Sequence, residues 1–143
     1  MIVVCWPLAV GRWRLAGIHL KHMFMSNYKN LDVWKLSIDA VKEVYTLTRS
    51  YPTDERFGLI SQTNRAAVSI PSNIAEGFGR NHKKDTIQFL YISRGSAYEV
   101  ETLLNIAFSV KIINEESYNK VNDMMERVLR VINGYINYLE RKS

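Results

Sequence analysis

Residues 61–80 read SQTNRAAVSIPSNIAEGFGR, and this stretch decides the fold. From residue 57 onward, one set of side chains recurs at alternating steps of three and four, which places the set on one face of a helix. Its members are Phe57, Ile60, Asn64, Ala67, Pro71, Ile74 and Phe78. Pro71 lies inside the pattern, where it has no N–H for the carbonyl of Ala67 and costs the helix roughly 3 kcal/mol. The chain must therefore bend or break there.

Two interpretations of Pro71 stay open. We favour a helix that is kinked at Pro71 but continuous, with Ser69, Ser72 and Asn73 placed to donate hydrogen bonds to the freed carbonyls. In the alternative, the helix restarts with Pro71 in its first position. Ile70 would then be the N-cap, and an aliphatic side chain caps poorly because it cannot accept a hydrogen bond from the backbone.

Length and composition indicate one globular domain. The chain has 143 residues, enough to bury a core without disulfides or metals. Its single cysteine, Cys5, excludes an intramolecular disulfide, so we expect a reducing cytoplasm as its location. The net charge of +5 is concentrated in residues 1–29, which have four basic residues and no acid. The remainder is nearly neutral, which weakens the argument for a polyanionic partner.

The first 28 residues do not match the pattern of the rest. Residues 2–10 are apolar but too short to span a membrane, and no basic region precedes them as in a signal peptide. We expect a non-core N-terminal extension over 1–28, from an over-long start assignment. Two alternatives are an arm packed on the bundle and an RNA-binding arm that uses Trp13 between Arg12 and Arg14.

Helical periodicity then continues to the end of the chain, and no segment alternates as a strand does. Helices are predicted over 30–49, 53–77, 82–112 and 114–142. The fourth holds a regular heptad of apolar residues from Tyr118 to Leu139. The expected apolar stripe of the third consists of Ile87, Leu90, Tyr91, Ala97, Tyr98, Leu104 and Phe108. The expected N-caps are Asn30, Thr53, Asn81 and Asn114, and Gly77 and Gly79 are the expected left-handed C-terminal residues. Long helices with short connectors predict an all-α fold, an antiparallel up-down-up-down four-helix bundle over residues 29–143.

Two features suggest close packing beyond a simple core. The first predicted helix has a second apolar stripe beside its main one, formed by Trp34, Ile38, Val41 and Tyr45. It is either a broad core face or a contact with another subunit. Gly95 lies inside the third predicted helix, where glycine costs about 1 kcal/mol relative to alanine. We therefore predict a close backbone approach at Gly95.

Charged and polar side chains on the second and third helices form a predicted structural network. Its members are Arg65, Asn73, Glu76, Arg94 and Glu101. If the two helices are antiparallel, residues equidistant from the connector should meet, which predicts a Glu76–Arg94 contact and an Arg65–Glu101 contact. Such charges are either buried ion pairs that fix helix register or parts of a polar binding site.

A second candidate site is the connector near residue 80, where Arg80, Lys83 and Lys84 cluster. It is either a solvated turn or a phosphate contact for nucleic acid, and a ring of subunits would multiply such contacts.

The sequence shows no set of residues typical of a catalytic, cofactor or metal site. Gly77-x-Gly79 is not a dinucleotide loop, since His82 stands where the third glycine belongs and no strand precedes it. The three histidines are scattered over tail and connector, so no metal site is expected. No nucleophile with a neighbouring base is visible. We expect no catalytic residue, no cofactor and no enzyme.

Four stretches together resemble a known family. They are LDVWKLSIDAVKEVY (31–45), YPTDERFGLISQ (51–62), SQTNRAAVSIPSNIAEGFGR (61–80) and FLYISRGSAYEVETLLNIA (89–107). The chain resembles the four-helix bundle proteins of the 23S rRNA intervening-sequence family over about 28–139. SIPSNIAEG and SRGS are the family's diagnostic strings.

The resemblance implies a small helical bundle that forms homopentamers and has no enzymatic activity. Some members are encoded inside insertions in bacterial 23S rRNA genes. A related protein, the accessory variability determinant of diversity-generating retroelements, has a similar pentameric bundle and binds nucleic acid and a reverse transcriptase. Residues and resemblance together predict a non-enzymatic, ring-forming bundle that binds RNA or DNA through its basic turns. The alternative is an assembly scaffold for a protein partner; no membrane is involved.

Overall fold

A computed structural model describes residues 28–80 and 82–141, and these residues form four helices. They are α1 (Asp32–Thr48), α2 (Leu59–Gly79), α3 (Lys83–Ser109) and α4 (Glu115–Arg141). Two short 3₁₀ segments, Tyr28–Asn30 and Thr53–Arg56, precede α1 and α2. No strand occurs in the described ranges, which confirms the predicted all-α four-helix bundle. None of the helices there is long and apolar enough to cross a membrane.

Each helix packs against the next one along the chain, and α1 also packs against α4. Hydrogen bonds between α2 and α3 join Gly77 to Thr86 and Ile70 to Ser93, so residue numbers run in opposite directions along the two helices. The up-down-up-down order of the whole bundle and the kink at Pro71 stay predictions. The N-terminal extension predicted over 1–28 lies outside the described residues except for Tyr28, whose ring meets Trp34 edge to face.

One apolar core runs through the bundle. The predicted heptad of α4 supplies a buried set, Val121, Met125, Val128 and Ile132. The second stripe of α1 belongs mainly to this core, since Trp34 and Val41 pack against it and only Tyr45 is exposed. That arrangement favours the broad core face over a subunit contact at α1.

The buried face of α3 differs from the predicted stripe. Tyr91, Tyr98 and Phe108 were expected to be buried, but they are exposed. Leu90, Ala97 and Leu104 of the predicted stripe are buried, and small side chains outside it complete the buried face: Ser93, Ser96 and Ala107. Small residues allow two helix backbones to approach closely, whereas aromatic rings would hold them apart.

Two of the predicted N-caps are wrong. Asn30 belongs to the 3₁₀ segment, and the extended residue before α1 is Leu31. Thr53 begins the second 3₁₀ segment, and α2 starts only at Leu59. There the Glu55 carboxylate accepts a hydrogen bond from the Leu59 N–H at 3.0 Å, which satisfies a free donor at the helix start.

The other two caps have different outcomes. The cap at Asn114 is confirmed, since its Oδ1 accepts a hydrogen bond from the N–H of Ser117 at 2.9 Å. Asn81 lies outside the described residues, and the residue before α3 is His82 in an extended conformation.

Helix α2 continues through Pro71 without a break, so the restart at that residue does not occur. Side-chain donors supplement the backbone around it. Ser72 Oγ donates to the Val68 carbonyl at 2.8 Å, and Asn73 Nδ2 donates to the Ser69 carbonyl at 2.7 Å. These carbonyls belong to the two residues after Ala67. The carbonyl of Ala67 itself receives no hydrogen bond from Pro71, which has no N–H.

Gly77 has a different role from the one predicted. Both Gly77 and Gly79 are helical, and no described glycine has a positive φ, so neither is a left-handed C-terminal residue. A Cβ on Gly77 would lie 2.8 Å from the Cβ of Phe89 and 3.2 Å from the Thr86 carbonyl oxygen. Gly77 is therefore a point of close approach between α2 and α3, where a larger side chain does not fit.

The close approach predicted at Gly95 is wrong. A Cβ on Gly95 would meet nothing within 4 Å, because this residue faces outward from α3. The glycine thus lowers the helix propensity of α3 without a compensating contact in the monomer.

We predict opposite effects of the same change at these two glycines. Gly77→Ala should lower the free energy of unfolding by about 1–3 kcal/mol, because the new methyl group forces α2 away from α3. Gly95→Ala, the control at an open helical position, should raise it by about 1 kcal/mol. Urea denaturation followed by circular dichroism measures both. Equal effects of the two variants would contradict the close contact at Gly77.

Candidate nucleic-acid interface

The basic turn consists of Arg80, which follows α2, and of Lys83 and Lys84, the first two residues of α3. Its position is fixed from both sides. The Arg80 N–H donates to the Gly77 carbonyl at 3.3 Å, and Thr86 Oγ1 donates to the same carbonyl at 2.8 Å. The last turn of α2 and the first turn of α3 are thereby tied to one another.

Arg80 is engaged in contacts within the chain. Its guanidinium forms an ion pair with the Glu76 carboxylate one turn earlier. It also lies over the ring of Phe89, 5.0 Å from the centroid, which is cation–π geometry. A phosphate that binds Arg80 must therefore compete with Glu76.

The two lysines differ in exposure. Lys84 is exposed and makes no ion pair with any described residue, whereas Lys83 is half-buried and has a contact of its own. Asp85 lies in the first turn of α3 and offsets part of the positive charge. The turn is thus basic overall, with Lys84 its most available cation.

The structure does not bring the predicted polar network together, and the Glu76–Arg94 contact is absent. Hydrogen bonds pair residue 77 with 86 and residue 70 with 93, so the level of Glu76 on α3 is near residue 87. Arg94 lies about seven residues further on, roughly 10 Å along the helix. It donates instead to Asn133 Oδ1 at 3.1 Å and lies over the ring of Tyr91 at 4.7 Å.

The Arg65–Glu101 contact is also absent. Arg65 has Glu99 as its partner at 3.7 Å, with both side chains largely solvated, so the pair contributes little to stability. Asn73 serves its own helix through the Ser69 carbonyl. The network predicted from spacing is therefore a set of separate local contacts.

Glu101 faces α4. Partial burial of its carboxyl raises its pKa, and the negative charge of Glu126 raises it further. The surroundings of Glu101 thus disfavour its charged form. The ionised side chain therefore lowers the free energy of unfolding at neutral pH.

Sequence patterns missed an exposed apolar face on α3. We define the α3 face as Tyr91, Ile92, Tyr98 and Ile106, all exposed. The heptad spacing of Tyr91 with Tyr98 could have revealed it, but the same residues were assigned to the core. A cleft of about 620 Å³ lies elsewhere, lined mainly by apolar residues that include Leu31, Phe78, Tyr135 and Leu139.

Within 28–80 and 82–141, histidine, cysteine and acidic side chains form no group of three that could hold a metal ion.

We predict that Glu101→Gln changes how stability depends on pH. The pKa of Glu101 is higher in the folded chain than its ordinary value of 4.5, so the folded state binds this proton more tightly. The free energy of unfolding should therefore fall as pH rises from 4.5 through the raised pKa of Glu101. Glutamine does not titrate, so the variant should not show this contribution to the fall. The variant should be the more stable protein at pH 7, and the advantage should vanish well below pH 4.5. Thermal unfolding across pH 3–8, with Glu99→Gln as control, tests this.

The fold and the turn place the chain among small helical-bundle proteins. Residues 29–134 match the model of the family described as 23S rRNA-intervening sequence protein, which covers most of the chain. The chain therefore belongs to the 23S rRNA-intervening sequence protein family.

A solved structure supports the fold. The chain is similar to a protein of unknown function from the S23 ribosomal protein family of Bacteroides thetaiotaomicron, with a TM-score of 0.68 and 23% sequence identity. The similarity covers 73% of this chain and 97% of that one. At this identity the comparison shows the fold alone. No curated protein matches the chain.

Proposed function

We propose that this protein is a non-enzymatic, oligomeric helix bundle that binds structured RNA through the basic turn. The observation that carries the proposal is the fixed placement of Arg80, Lys83 and Lys84 at the junction of two helices that meet at Gly77. Because the ends of the two helices are tied to each other at this turn, phosphate binding requires less ordering of the backbone there. The family name refers to 23S rRNA, which favours RNA as the nucleic acid.

A single turn offers few phosphate contacts, so the proposal includes several copies in one assembly. The α3 face supports this part, because a soluble chain seldom leaves four large apolar side chains exposed on one helix. We propose a ring of five copies, as the family resemblance implies, in which the basic turn is repeated around the ring.

Variants of the basic turn should change both the affinity for RNA and the dependence of that affinity on salt concentration. We predict that Lys84→Gln weakens binding of a labelled 23S rRNA fragment and makes the dependence of log K on log salt shallower by about 0.7–0.9 per lost phosphate contact. Glu76→Gln should strengthen binding, because it frees Arg80 from its ion pair. Fluorescence anisotropy from 50 to 300 mM salt measures both effects.

Arg127→Gln is the control, since it removes one positive charge from the exposed surface of α4. It should leave the salt slope unchanged. Binding that is insensitive to salt, or that weakens equally in the Lys84 and Arg127 variants, would contradict a role for the turn.

The oligomer is tested separately. Tyr98 is 48% exposed at the centre of the α3 face, and Tyr98→Glu should convert the assembly into monomers because it places a charge in an apolar contact. Asn137→Glu, on the exposed side of α4, should leave the mass unchanged. Light scattering coupled to size-exclusion chromatography measures the mass. A wild-type chain that stays monomeric at high concentration would refute the assembly.

A second function is an assembly scaffold for another protein. The cleft beside Phe78 and Tyr135 favours it, since an apolar cleft of this size suits side chains of a partner better than phosphates. A partner recovered from nuclease-treated lysate, and lost on Tyr135→Glu, would support the scaffold over RNA binding. The proposal also includes a cytoplasmic location, supported by the single cysteine of the chain.

A further inference from the structure

A pocket lies where α1 leads through its connector into α2, at the opposite end of α2 from the basic turn. We call it the connector pocket. Its volume is about 380 Å³. Among its lining residues are Tyr45, Thr48, Arg49, Tyr51, Arg56 and Asn64. Guanidinium, phenol, hydroxyl and amide groups thus surround one cavity, and no carboxylate of the described chain lines it.

Both arginines lack an acidic partner. Within the described residues, neither Arg49 nor Arg56 makes an ion pair; Arg56 lies only over the ring of Phe57, 5.8 Å from the centroid. One oxygen of the nearby Glu55 carboxylate accepts the N–H of Leu59, and this carboxylate forms no ion pair with either arginine. Among the described residues, therefore, no ion pair holds either guanidinium away from an anion in the pocket.

Tyr51 adds an unusual polar group. Its side chain is only 5% exposed, and its hydroxyl has no hydrogen-bond partner among the described residues. Burial raises the pKa of Tyr51 to about 12, so the phenol keeps its proton and stays a donor. A buried hydroxyl without a partner loses the hydrogen bond that water would have supplied, which is costly. Tyr51 lines the connector pocket, so a shift of its side chain would bring this hydroxyl to a ligand oxygen there.

Asn64 adds an amide group to the lining of the pocket. Thr48 Oγ1 on α1 donates a hydrogen bond to Asn64 Oδ1 at 2.9 Å. The oxygen of the Asn64 amide is therefore the atom that contacts α1. The Asn64 amide nitrogen remains as a donor, because an amide group has one acceptor side and one donor side. The connector pocket thus offers donors from α1, the connector and α2.

We propose that the connector pocket binds the phosphate group of a small phosphorylated ligand, held by Arg49, Arg56 and Tyr51. A guanidinium presents paired N–H groups that match two phosphate oxygens, and two unpaired arginines balance the charge of a phosphate monoester. The Tyr51 hydroxyl supplies a third donor in a setting shielded from water. A positively charged, donor-rich cavity without carboxylates excludes cations and favours this anion.

The surroundings also suit a ring on the ligand. Tyr45 and Ile60 line the pocket, and Phe57 beside it is 87% exposed. An exposed aromatic side chain held by Arg56 provides a surface on which a flat ring can stack. A cavity of this volume is within the range of small-molecule sites. The ligand is thus a phosphate monoester with an aromatic ring, the chemical class of a nucleoside monophosphate.

This site is independent of RNA binding at the basic turn. Helix α2 has 21 residues and separates the two regions by roughly 30 Å. A failure of one proposal therefore leaves the other intact.

Isothermal titration calorimetry with inorganic phosphate, at constant ionic strength, tests the site on the full chain. We expect binding with a Kd on the order of 1 mM for this small probe. Arg49→Gln and Arg56→Gln should each weaken it about tenfold or more. Arg127→Gln and Arg130→Gln, both on the exposed surface of α4, should leave it unchanged. No binding at 20 mM phosphate, or equal weakening by the control variants, would overturn the proposal.

Tyr51→Phe separates binding from folding. Without phosphate the variant should melt a few degrees higher than the wild type, because it removes a buried hydroxyl that has no partner. Its affinity for phosphate should nevertheless fall about tenfold. Higher stability with unchanged phosphate affinity would remove Tyr51 from the site. Adenosine 5′-monophosphate should bind more tightly than ribose 5-phosphate, and equal affinities would overturn the stacking of a ring.

Discussion

The close contact between α2 and α3 constrains the rest of the bundle. At Gly77 the two helices come so near that a single methyl group would not fit. Hydroxyl groups of α3 use this proximity: Thr86 and Ser93 donate to the carbonyls of Gly77 and Ile70 on α2. Both bonds are buried, where an unpaired hydroxyl would be costly, so they fix the register of one helix on the other. Pro71 lies beside them and leaves α2 continuous.

This contact also decides what faces outward. Because α3 turns its small residues towards the bundle, its larger side chains, such as Tyr91 and Tyr98, point to solvent. The connector that follows Gly77 is short and tied at both ends, which holds the basic turn in place. The apolar face proposed for assembly and the cations proposed for phosphate binding therefore have the same origin. Both follow from the choice of glycine and serine where α2 and α3 meet.

Much of the fold could be predicted from the sequence, because helix periodicity is a local property. The heptad of α4 and the cap at Asn114 depend on neighbours in the chain, and both agree with the structure. The face of α3 could not be predicted in the same way. Tyr98 and Ala97 are both apolar, and only the distance to α2 decides which of them is buried. Hydrophobicity alone favours the aromatic ring, whereas close packing favours the small residue.

The candidate sites show the same limit. The basic turn was visible because its cations are adjacent in sequence, but the pairing of Arg80 with Glu76 depends on geometry within one helical turn. The predicted pair of Glu76 with Arg94 failed because a register error of a few residues moves a side chain by about 10 Å. The connector pocket combines α1, α2 and the chain between them. Its residues carry no shared motif, so no local pattern could have revealed it.

The short connector between α2 and α3 has a consequence for how the chain folds. Only residues 80–82 separate these two helices, whereas residues 49–58 separate α1 from α2. Closing a shorter loop costs less entropy, and the contacts it brings together are close in sequence. The hairpin of α2 and α3 is therefore the pair that we expect to be organised in the folding transition state. Helices α1 and α4 would then dock on a template whose register is already set.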